Sequence, residues 1–230
     1  MAFFTTKTKL SDILNTNLQL VSIFPRFPIC LGFGEQDVEQ YCQAHHISTD
    51  FVVMVCNIYT FPHYMPTEEE INQVNLKETI DFLLESHRDY LTDKIPHIKQ
   101  HLKNICAQYE PSLQKAVMQF FENYEDELQK HFDFEEKNIF PVLLDGGDVS
   151  KQALCLDIFD QNHNSIKEKM ADLVNIITKY LPQHQGENEQ ICILEDLANI
   201  IADTSQHATL ENKIIVPYIE QLNMMGYEKR

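Results

Sequence analysis

Residues 131–141 read HFDFEEKNIFP, and residues 207–217 read HATLENKIIVP. Both fit H-x-x-x-E-x-K-x-I-x-P, and they stand 76 residues apart (131 to 207). The same offset, without a gap, carries residues 81–141 onto 157–217. It pairs Asp81 with Asp157, His87 with His163, Lys103 with Lys179 and Gln114 with Gln190. A repeat kept for core packing would preserve apolar type. This one preserves histidine and glutamate, which packing does not need.

The stretches that carry these residues read as helices. Val117, Phe120, Phe121, Tyr124 and Leu128 recur at threes and fours. Four helical stretches are expected, over roughly 75–107, 112 to the 140s, 150–181 and 187–222, with breaks at Pro111, Gly146-Gly147 and Pro182 to Gly186. Pro96 falls inside the first and predicts either a kink near it or a shifted helix start. Helices of ~30 residues joined by short breaks predict an all-α, up-down-up-down four-helix bundle.

In such a bundle, equal distance from a break means equal height. His87 and His131 stand 23 and 21 residues from a break at 110; His131 and His163 stand 15 and 17 from one at 146; His163 and His207 stand 22 and 22 from one at 185. At ~1.5 Å per residue, all four imidazoles reach one level. His131/Glu135 and His207/Glu211 are i, i+4 pairs, each on one helix face. The expected metal ligands are therefore His87, His131, Glu135, His163, His207 and Glu211. Four imidazoles and two carboxylates suit two divalent ions, with iron expected and zinc or manganese also compatible. Glu127 and Asp203, one turn before each pair, also obey the repeat; an outer-partner role and a solvated role both stay open. His45, His46, His63, His97, His101 and His184 fall outside the set and are expected to be ordinary histidines.

Composition narrows the function. The chain of 230 residues has a formal net charge of −17, six glycines and no tryptophan. Such acidity argues against a surface that neutralises nucleic-acid phosphates. Few glycines argue against a Gly-rich nucleotide-binding fold. No run is long enough to span a membrane, and the N-terminal MAFFTTKTKL lacks the pattern of a signal peptide. The six cysteines are widely spaced and fit reduced thiols in a cytoplasmic protein.

Residues 1–65 are expected to form a small helical N-terminal domain, with helices over 37–44 and 49–59, followed by a linker over 66–74 and the bundle over 75–225. The second short helix, TDFVVMVCNIYT, is apolar all round and carries no lysine or arginine. It reads as a buried helix and not as a DNA-recognition helix.

The order single His, His-x-x-x-Glu, single His, His-x-x-x-Glu resembles the hemerythrin-like, HHE cation-binding proteins. Within them it is similar to the repair-of-iron-centres branch, which has four histidines and two glutamates on a non-haem di-iron site. That branch also carries a Cys-Cys pair in a small N-terminal domain. Here FPRFPICLGFGEQDVEQYC (24–42) is similar in length and position, but the paired cysteines fall on Leu31 and Gly32, leaving only Cys30 nearby. The resemblance implies protection or repair of iron–sulfur clusters under nitric oxide or oxidative stress, with iron–sulfur proteins as partners. A module that senses or carries dioxygen or nitric oxide, and an enzyme reducing nitric oxide or peroxide, stay open beside it. Oligomeric state is left open.

Overall fold

The structure is a computed structural model that describes residues 2–144, 165–182 and 187–219. Among these residues the protein is all-α, with one isolated β-bridge between Lys9 and Asp37. The helices are α1 Leu10–Thr16, α2 Val38–His45, α3 Thr49–Thr60, α4 Glu68–Gln73, α5 Leu76–Asp89, α6 Ile95–Cys106, α7 Pro111–Phe134, α8 Phe140–Leu144, α9 over 165–175 and α10 Glu187–Leu210. The described residues fall into two compact units: residues 2–86 with 206–219, and residues 87–144, 165–182 and 187–205.

In the first unit, local capping explains the short helices. Asp37 caps α2 by accepting from the Gln40 amide at 2.7 Å, and the Gln40 side chain returns to the Asp37 amide at 3.2 Å. Thr67 and Glu70 form the same reciprocal cap at the start of α4, inside the stretch expected as a linker. The apolar α3 is buried through Phe51, Val52, Val55 and Ile58. Phe82 of α5 shares this core: its ring lies 4.6 Å from that of Phe27 and 5.9 Å from that of Phe51. Asn57 fastens the N-terminal strand of chain, accepting from the Phe4 amide at 2.8 Å and donating to the Phe4 carbonyl at 3.0 Å. Lys213, which follows the second His-x-x-x-Glu, donates to the Tyr64 carbonyl at 2.5 Å.

The second unit is a four-helix bundle. Its core draws Ile98, Leu102 and Ile105 from α6, Val117, Phe121, Tyr124 and Leu128 from α7, Ile166, Met170 and Leu173 from α9, and Ile193, Leu197 and Ile200 from α10. These recur at three- and four-residue spacing, so each helix presents one apolar stripe. Pro111 opens α7 at the first helical position, where its missing N–H costs nothing. Where a kink or a shifted start was expected near Pro96, the helix widens into a single π-turn over Tyr90–Lys94 and resumes as α6. The Ile95 amide reaches back five residues to the Tyr90 carbonyl. Widening just ahead of a proline is a standard way to absorb the lost bond and ring clash.

Burial sorts the cysteines. Cys42, Cys56 and Cys106 are buried, and desolvation pushes their thiols up to about 11, 12 and 11. Cys30 and Cys192 are exposed. Brief alkylation of the native protein, mapped by mass spectrometry, is expected to label Cys30 and Cys192 while sparing the other three until the chain unfolds. Labelling of Cys56 at the rate of Cys192 would contradict the packing. Cys155 lies outside the described residues.

Candidate metal centre

The second unit assembles three of the expected ligands. His87 projects from the last turn of α5, and His131 from α7 one turn before Glu135; all three are buried. Glu135 has an imidazole on each oxygen. His87 Nε2 lies 3.3 Å from Oε2, and His131 Nε2 lies 3.2 Å from Oε1. The His87 ring stacks on Phe132 at 3.9 Å and 12°, which fixes its plane. Its other nitrogen, Nδ1, donates to Glu136 Oε1 at 2.9 Å, because an ionised carboxylate only accepts. That bond directs the Nε2 lone pair toward Glu135, the tautomer in which histidines bind metals.

The first unit carries the second pair. His207 Nε2 lies 3.1 Å from Glu211 Oε1, and both side chains are buried. The match to His131/Glu135 extends to the backbone. The helix opens into a π-turn over Glu135–Ile139 and again over Glu211–Ile215, each starting at the carboxylate. A π-turn adds one residue to a helical turn and often marks a functional site. At this pair of positions the 76-residue repeat extends to backbone geometry as well as side chains.

The donor set fits a metal. The Nε2 lone pair that His87 turns to Glu135 Oε2, 3.3 Å away, repels that oxygen unless a cation lies between them, and His131 and His207 face carboxylate oxygens at 3.2 and 3.1 Å. Two donors each ~2.1 Å from one ion, at an angle of ~90–110°, stand ~3.0–3.4 Å from each other. All three separations fall in that interval. Imidazole with carboxylate selects borderline transition ions over calcium and magnesium. His163, the remaining expected ligand, lies outside the described residues.

The two outer acids differ. Glu127 is at the surface, paired with Lys169 and 3.5 Å from the Ser165 hydroxyl. Asp203 is buried, accepting from the Tyr90 hydroxyl at 2.9 Å and from Lys94 Nζ at 2.5 Å. Lys94 also pairs with Asp89 at 3.0 Å. Neither Glu136 nor this Tyr90–Lys94–Asp203 network was singled out from sequence. Glu136 has no counterpart in the repeat, since Asn212 stands at its place.

Helical bundle and buried histidine–carboxylate pairs together define a class. The chain belongs to the hemerythrin family: residues 79–219 match its HHE cation binding domain. Among curated proteins it is similar to the iron-sulfur cluster repair protein YtfE of Escherichia coli O81 (strain ED1a), 21% identical over 155 residues, which span 66% of this chain and 70% of the relative. The proteins of that name from Escherichia coli O1:K1 / APEC and from Escherichia fergusonii are each 20% identical over the same shares. No described helix is long and apolar enough to cross a membrane.

Proposed function

We propose that the protein carries two iron ions on His87, His131, Glu135, His163, His207 and Glu211, and uses them to protect or repair iron–sulfur clusters under nitric oxide or oxidative stress in the cytoplasm. The observation that carries this reading is Glu135, a buried carboxylate with a separate imidazole facing each oxygen, the arrangement of a bridging ligand. The repeated His207/Glu211 pair, the family match across all six residues and the similarity to iron-sulfur cluster repair proteins support it. The five free, scattered thiols among the described residues suit a reducing compartment.

When bound, a pair of ferrous ions supplies one-electron chemistry and open positions for dioxygen or nitric oxide. The chain's own part is to hold and shield. Glu136 and Phe132 orient His87 from two sides. Burial of His87, His131, Glu135, His207 and Glu211 keeps bulk water from the donors, and the two carboxylates offset much of the ions' charge.

Anaerobic purification, reconstitution with ferrous iron and elemental analysis should give about two irons per chain. The loaded protein should then restore activity to a cluster enzyme inactivated by nitric oxide. Iron below about one per chain would overturn the di-iron assignment. Full loading with reversible nitric oxide or dioxygen binding and no restoration would favour a sensing or carrying module. Catalytic consumption of nitric oxide or peroxide without restoration would favour a reductase.

A further inference from the structure

His97 and His101, which the repeat leaves aside, stand one turn apart on α6. Histidines four apart on a helix share a face, where two imidazoles can reach one ion. Within the second unit, Asp196 of α10 meets that face. Its Oδ2 lies 2.9 Å from His101 Nδ1 and 3.5 Å from His97 Nε2. The three donor atoms all lie within 4.8 Å of one another.

Two further observations point to a ligand. Asp196 Oδ2 is shielded from solvent and faces the two imidazoles, although the His97 side chain beside it is 58% exposed. A desolvated carboxylate oxygen gains from a cation held against it, and here two imidazole nitrogens stand ready to complete that ion's ligands. The repeat also places Leu173 and Ile177 where His97 and His101 stand in the first half, and both are buried apolar residues. The histidine pair is therefore not a remnant of the duplicated ligand set. It exists in one half only, and facing a carboxylate from another helix.

We propose that His97, His101 and Asp196 form a separate, solvent-facing site for one divalent transition ion of the zinc class. Two imidazoles and one carboxylate are a three-residue zinc set that leaves a position for water. The same donors discriminate against calcium and magnesium, which need all-oxygen cages. An open fourth position and the exposed His97 make the ion exchangeable with solution, unlike one held among buried ligands. The site is independent of the iron reading, since it shares no residue with it.

The test uses the full chain, loaded with ferrous iron and then dialysed anaerobically against micromolar Zn²⁺, with both metals measured. The expected result is uptake of about one zinc per chain with iron content unchanged. His101→Ala and Asp196→Asn should each weaken zinc binding ~10-fold or more, and His97→Ala/His101→Ala should abolish it, with circular dichroism unaltered. A His131→Ala chain, tested in parallel, should take up the same zinc, which keeps the result legible if iron loading fails. Three outcomes would overturn the proposal: zinc uptake that releases an equivalent of iron, uptake unchanged in the double variant, or no uptake up to millimolar zinc.

Discussion

Glu135→Ala should abolish stable metal retention while leaving the apo protein folded. The substitution removes both oxygens that the His87 and His131 imidazoles face. Its effect should exceed the ~10–100-fold loss of affinity typical of an outer partner, which is the loss expected for Glu136→Ala, where only the orientation of His87 is relaxed. The stability change on adding metal separates ligand from scaffold. Added metal should raise the melting temperature of the parent and leave that of Glu135→Ala unchanged. Glu127→Ala should retain metal fully, because Glu127 pairs with Lys169 at the surface. Elemental analysis and thermal melts with and without metal decide this. Equal metal loss in Glu135→Ala and Glu127→Ala would refute the assignment.

Asp203→Ala should cost about 2–3 kcal/mol of stability, read from the midpoint of urea unfolding. The change deletes the acceptor of the buried Tyr90 hydroxyl and one of two carboxylates paired with Lys94, whose side chain is 25% exposed. Tyr90→Phe removes only the neutral donor and should cost about 1 kcal/mol. Glu127→Ala, at the repeat-related position, should stay within about 0.5 kcal/mol, as exposed pairs do. If Asp203→Ala and Glu127→Ala destabilise equally, the buried network has no energetic standing.

The bundle and the ligand set were legible because function and fold left the same signature. His87 alone on a helix says little, but His87 and His163 at the offset of the His-x-x-x-Glu pairs say a great deal. The divergence of Glu127 and Asp203 was not legible from the acids themselves. Their difference lies in what faces them: Tyr90 and Lys94 can donate to Asp203, whereas the repeat-related Ile166 and Met170 are apolar core residues. The role of Glu136 was hidden for the same reason, since Asn212 breaks the pattern. Helical periodicity likewise could not show that Phe82 shares a core with Phe27 and Phe51, because an apolar stripe does not name its partner. The π-turns were invisible as well: their residues are ordinary helix formers, and only the hydrogen-bond register reveals the extra residue.

That extra residue bears on what the helix tolerates. The turn over Glu135–Ile139 and the turn over Glu211–Ile215 open at the same column of the repeat, each starting at the carboxylate. A π-turn takes up one surplus residue locally, so the helix on either side keeps its facing. Losing one residue inside either turn would therefore close it to a regular α-turn, shifting the carboxylate while sparing the apolar stripes beyond it.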